Sequence, residues 1–196
     1  EFGTFTDRFE KLEEALQIIL PLLDGETVSF TGRHYRVEEA VNVPGTVSKV
    51  PIMIGGSGEK KTLRMVAQYA DESNLVGVRD PHLVTRKLEV LADHCERLGR
   101  DRSEIKVTLT VACCIAPTME QAEADLRRMS EAKGWSPEAA EMLRAGLIFG
   151  DPDTVGESLA ALAATGIDGF GASLGVNGHV PGRIGLLGET AGKVLG

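Results

Sequence analysis

From Thr6 to Leu23 the apolar positions Phe9, Leu12, Leu16, Ile19 and Leu23 recur every three or four residues. That spacing predicts a helix with one apolar stripe, with Thr6 as its N-cap, Asp7 near the positive end of its dipole and Pro21 loosening its last turn. The period then changes. "ETVSFTGRHYRVEE" holds two short β-rich runs around Thr31-Gly32, which predict a hairpin excursion over 24–45. After the connector "NVPGTVSKVP", Val50 to Ile54 is a short apolar run of the kind expected for a strand buried on both faces.

Strand and helix signals then alternate. Leu63, Val66, Ala67 and Ala70 form a helical stripe, and "ESNLVGV" reads as a strand. Asp80-Pro81 predicts a capped helix burying Val84, Leu88, Leu91, Cys95 and Leu98 and stopping at Gly99. "EIKVTLTVACCIA" is the clearest strand. A capping box at Thr118–Gln121 opens a helix to about Lys133, "GWSP" leads to another from Pro137, and Asp151-Pro152 starts a third with Val155, Leu159 and Leu162 inward. "IDGFGASL" is the last strand, followed by the glycine-rich "GVNGHVPG" and a C-terminal helix. A helix, a hairpin and four strand-then-helix units predict an α/β fold with parallel strands and right-handed crossovers. Four units fit half of a (β/α)8 barrel, whose usual length is about 250 residues, or a four-stranded open sheet. The open dinucleotide-binding form lacks its Gly-x-Gly-x-x-Gly fingerprint here.

Composition narrows the functions. The 196 residues carry a net charge of -8 with no basic stripe, which argues against nucleic-acid binding. No apolar run approaches the roughly 20 residues needed to span a bilayer, and no signal peptide is visible, so no membrane partner and a cytoplasmic location are expected. Cys95, Cys113 and Cys114 are an odd set, two of them adjacent, and read as buried free thiols.

The candidate chemistry centres on "VPIMIGGSGEKKTLRMVAQYAD", where an apolar strand meets Gly55, Gly56, Ser57 and Gly58 and turns into a helix. Glycine lets backbone approach a ligand, and the first helical N–H groups have no intrahelical acceptor, so the turn can cradle an anion. Ser57, Lys60, Lys61 and Thr62 could add donors or charge, while Glu59 is expected to face solvent. The plain alternative is a tight turn. "GVNGHVPG" is a second loop of this kind, and Asn74 ends the next strand on the same face. His34, His82, His94 and His179 show no metal-ligand spacing, so no metal is expected; only His179 sits where an acid or base would be tested. Lys11, Glu13 and Glu14 read as a solvated helix face. The helical segment 117–150, with Trp135, is either a lid over substrate or a solubilising or dimer-forming excursion.

Four stretches, "RFEKLEEALQII", "VSFTGRHYRVEEA", "VPIMIGGSGEKKTLRMVAQYADESN" and "GDPDTVGESLAALAATGIDGF", together resemble the luciferase-like monooxygenase superfamily, in its branch using coenzyme F420. The resemblance implies a (β/α)8 barrel of which residues 1–196 form one partial domain, the C-terminal half with strands five to eight. It implies an oxidoreductase that moves hydride between reduced F420 and a small organic substrate, with FMN and oxygen as the alternative chemistry. The expected cofactor contacts are Gly55, Gly56, Ser57, Gly58, Lys60, Thr62 and Asn74; the catalytic acid or base is unassigned and expected in the preceding half. The chain opens at Glu1 without a methionine, and the half barrel alone is expected to form a homo-oligomer, pair with the missing half, or lack independent catalysis.

Overall fold

The computed structural model describes residues 3–196, so Glu1 lies outside it. Helix α1 (Phe5–Leu23) starts two residues earlier than the periodicity suggests. Its cap is Thr4, not Thr6: the Thr4 hydroxyl accepts from Asp7 N–H at 3.1 Å, and the Asp7 carboxylate returns the bond to Thr4 N–H at 2.9 Å. This reciprocal box fixes the start more firmly than one threonine inside the first turn could. Pro21 is accommodated within the last turn, and the helix runs on to Leu23. The stripe is only partly covered: Leu16 is buried, whereas Leu12 and Ile19 are exposed.

Strands β1 (Val28–Thr31) and β2 (Arg36–Ala40) form the antiparallel hairpin. Glu14 holds its turn, accepting backbone N–H bonds from Arg33, His34 and Tyr35 at 2.8–2.9 Å. Glu13 pairs with Arg64 at 2.7 Å. Neither glutamate is a free member of a solvated face, because partners far along the chain reach back to them.

The main sheet is wholly parallel. It comprises β3 (Met53–Gly55), β4 (Glu72–Val76), β5 (Lys106–Ile115), β6 (Ile148–Gly150) and β7 (Gly169–Ser173), with β5 pairing β4, β6 and β7. Strand β6 falls at the end of the segment read as a helical insertion, and makes five parallel strands rather than four. Three residues are too few to show a period, so only pairing with Cys113–Ile115 reveals it. Strand β3 is shorter than the apolar run suggested and lies at an edge: Ile54 is buried, but Val50 and Met53 are exposed. It is therefore not covered on both faces.

Between the strands run α2 (Thr62–Tyr69), α3 (Pro81–Leu98), α4 (Met119–Lys133), α5 (Pro137–Ala145) and α6 (Pro152–Ala163), and α7 (Arg183–Leu195) follows β7. Asp80, Thr118, Ser136 and Asp151 cap their helices through side-chain oxygens, and Gly99 closes α3 at φ 67°, as the sequence signals require. Leu63, Val66 and Ala67 of α2, Val84, Leu91 and Cys95 of α3 and Val155, Leu159 and Leu162 of α6 pack on Ile54, Leu75, Val107, Leu109 and Val111. All of these strand residues belong to one face of the sheet. The predicted stripe of α3 ends early, with Leu98 exposed. The opposite face, carrying Met53, Gly55, Glu72, Asn74, Lys106, Thr108, Thr110, Gly169 and Gly171, has no helix on it among the described residues; each of these residues is exposed or half-buried.

Candidate active face

Parallel strands put all their C-terminal ends on one side, where the connecting loops gather. Gly55 ends β3 opposite Asn74 of β4, and Gly56 N–H donates to the Asn74 carbonyl at 2.8 Å. Gly56 has φ 132°, and a Cβ there would stand 3.1 Å from Thr62 Cγ2; one on Gly58 would stand 2.9 Å from Thr62 Oγ1. The glycines thus admit the buried Thr62 beneath the turn, which is where the structure places that residue. Ser57 latches the turn to β4, its hydroxyl donating to Val76 O at 2.7 Å and accepting from Val76 N–H at 3.0 Å.

The backbone beyond is unspent. Among the described residues, the N–H groups of Ser57, Gly58, Glu59, Lys60 and Lys61 have no protein acceptor, whereas Leu63 and Met65 donate to Gly58 and Lys61 carbonyls. Lys60 is exposed; Lys61 lies over the Phe9 ring at 5.3 Å. Glu59 does not face solvent as expected. It turns toward α3 and meets Lys87 at 2.5 Å and Arg86 at 3.1 Å, and the bonds from these two cations hold its carboxyl below the usual carboxylate range. That removes its charge from the mouth of the turn. His94 caps the arrangement by bonding the Glu59 carbonyl at 2.8 Å.

Two cavities adjoin this region. One of about 230 Å³ lies between α1 and the turn, lined by Phe5, Phe9, Leu12, Gly55, Thr62 and Met65. Another of about 330 Å³ opens at the ends of β4 and β7, beside the middle of β5, lined among others by Val76, Gly77, Arg79, Thr110, Ala112 and Ser173. Asn74 lies on the open face just below it. Its Nδ2 donates to Thr108 Oγ1 and its Oδ1 accepts from Thr110 Oγ1, each at 2.9 Å. The structure therefore gathers Gly55, Gly56, Ser57 and Asn74 at two adjacent strand ends, puts Thr62 underneath, and leaves Lys60 on the outer surface. Glu72, Thr108, Thr110, Arg79 and Ser173 were not singled out from the sequence. The alternation of Lys106, Thr108 and Thr110 with Val107, Leu109 and Val111 was the available signal for the threonines.

The second glycine-rich loop is structural at its centre. Asn177 is fully buried and donates to Ile115 O and Asp125 Oδ2, both at 2.9 Å; Arg183 also meets Asp125 Oδ2 at 2.9 Å. Burial works against the Asp125 charge, but Asn177 and Arg183 outweigh it and hold the carboxyl below its usual range. His179 is exposed beside this cluster. Trp135 lies between α4 and α5, away from the 330 Å³ cavity. Asp7, Glu10 and His34 bring their ligand atoms within 4.8 Å of one another, a grouping the sequence spacing did not suggest. Arg33 and His34 share Glu10 Oε2 at 2.9 Å, and the Asp7 carboxylate caps α1, so within the protein both carboxylates already accept hydrogen bonds. No helix among the described residues is long and apolar enough to cross a membrane.

The sequence model of the family described as "Luciferase-like monooxygenase" matches residues 1–169. An F420-dependent glucose-6-phosphate dehydrogenase of Microbacterium testaceum (strain StLB037) is 32% identical over 138 residues, covering 70% of this chain and 39% of that protein. The chain thus spans about two-fifths of this curated relative. An F420-dependent secondary alcohol dehydrogenase, solved with an F420-acetone adduct, superposes with a TM-score of 0.78 at 17% identity, over 99% of this chain and 64% of the other. The monooxygenase RslO1 from Streptomyces bottropensis superposes with a TM-score of 0.75 at 18% identity, over 98% and 63%. At such identities the two solved structures establish the shared fold alone.

Proposed function

This chain belongs to the luciferase-like monooxygenase family, and from that premise we propose that it forms the cofactor-holding part of an F420-dependent oxidoreductase acting on a small organic molecule. The observation that carries the reading is the run of loop N–H groups from Ser57 to Lys61 without protein acceptors among the described residues, at the C-terminal end of β3. Such a run suits the phosphate of a cofactor's side arm, because several fixed donors share one anion and need no ionised side chain of their own. Glycines at 56 and 58 let the turn close down over Thr62, and the withdrawal of Glu59 to Lys87 and Arg86 removes a repelling charge. Bound F420 would supply the hydride-carrying ring; the chain's task is to orient that ring and exclude water around it.

In this reading the open sheet face is the inner wall of a barrel whose other wall comes from further strand–helix units. Its support is physical: parallel sheets are ordinarily covered on both faces, and this one is covered on one. The relatives' greater length agrees with it.

Fluorescence titration of F420 into the chain tests the assignment, alone and mixed with a barrel half taken from a relative. Saturable binding is expected, weakened at least about tenfold by Gly56→Val, since a side chain at that φ both strains the turn and meets Thr62. Absence of F420 binding in both settings would overturn the reading. Preferential binding of FMN would move it to flavin-and-oxygen chemistry, because the glycine turn recognises the phosphate arm that both cofactors carry.

A further inference from the structure

The open face carries a chain of hydrogen bonds with a fixed direction. At its lower end Thr108 Oγ1 lies 2.7 Å from Glu72 Oε1. A carboxylate has no proton to give, so Thr108 must donate there. A hydroxyl has one proton; with it spent, the Thr108 oxygen can only accept from Asn74, 2.9 Å away. The amide nitrogen of Asn74 therefore points to Thr108 and its oxygen to Thr110, also at 2.9 Å. An amide oxygen only accepts, so the Thr110 proton is committed as well. Chemistry alone thus orients the Asn74 amide.

What remains on Thr110 is lone-pair capacity at the wall of the 330 Å³ cavity. Its neighbour across the ladder is Gly171, where a Cβ would stand 3.3 Å from Thr110 Oγ1. Glycine at that position leaves the oxygen uncovered. We propose that Thr110 is a specificity-determining acceptor, that the ligand group seated against it carries an O–H or N–H, and that Glu72 is the positioning residue imposing this polarity through Thr108 and Asn74. A ligand offering only a carbonyl or ether oxygen there would face an acceptor with its own acceptor and lose a hydrogen bond in a partly desolvated site.

The inference rests on the cofactor reading above for its functional assay. The probe is F420, whose deazaflavin ring carries an N–H, titrated by fluorescence into the wild-type chain together with the complementary barrel half and into three variants. Thr110→Ser, which keeps the oxygen, is expected to bind within about twofold of wild type, and Thr110→Val about tenfold more weakly. Glu72→Gln can itself donate to Thr108 and so frees the chain to reverse; about threefold weaker binding with an unchanged melting temperature is expected. Wild-type affinity in Thr110→Val, or in Glu72→Gln, would overturn the respective role. Should wild type fail to bind F420, the cofactor reading falls by itself. The polarity is then decided by the Asn74 side-chain amide signals in NMR of the free chain: a shift on Glu72→Gln upholds it, and unmoved signals overturn it.

Discussion

The two faces of the parallel sheet come from the same strands and differ in almost everything else. Toward the helices, Val107, Leu109 and Val111 are nearly inaccessible among apolar neighbours. Toward the open side, Thr108 and Thr110 alternate with them, half-buried and hydrogen-bonded to Glu72 and Asn74 on the next strand. The first face is held by area removed from water, the second by directed polar contacts that leave capacity for a ligand. A strand can therefore carry stability on one side and recognition on the other, one residue apart.

Stability measurements should separate the faces. The largest loss is expected for Leu109→Ala, about 4 kcal/mol by denaturant unfolding, because a fully buried leucine leaves both lost transfer energy and a cavity. A loss under about 1 kcal/mol would mean that this face is not the core. Asp125→Ala is expected to cost about 3 kcal/mol, since it strands the half-buried Arg183 guanidinium and one buried Asn177 N–H without their acceptor. It makes the comparison one of burial rather than of polarity. On the open face Thr108→Val should cost only about 1 kcal/mol, as water can reach Glu72 and Asn74 once the hydroxyl is gone. A loss as large as that of Leu109→Ala would show that the polar chain is a core element and erase the contrast.

The smallest effect concerns the thiols. Burial pushes Cys113 up to about 11 and Cys114 to about 12 from an ordinary 9.0. Both native groups thus stay protonated while the unfolded chain ionises, so their contribution to stability is full below about pH 9 and declines as pH rises toward those native values. A thiol reagent at pH 8 should label neither cysteine until denaturant is added. Rapid labelling of the native chain would place the two residues outside the core.

Local signals were legible because they depend on neighbours in sequence. The Asp80-Pro81 start, the Gly99 stop and the inward stripe of α6 need only a few adjacent residues, and the tertiary structure left each in place. The glycine turn was equally visible, yet its details were not. That Ser57 would be spent on Val76, or Glu59 on Lys87, depends on residues 19 and 28 positions away.

By itself, then, the sequence determined the order of the helices and of every strand but β6, the parallel α/β class and the site of the glycine turn, since period and capping are short-range properties. The tertiary structure decided that β3 is an edge, that β6 exists, that Glu13 and Glu14 hold distant groups, and that Glu72, Asn74, Thr108 and Thr110 form one directed chain. The last of these rests on register between strands more than 30 residues apart. A shift of one residue in that register would have turned the same threonines toward the helices.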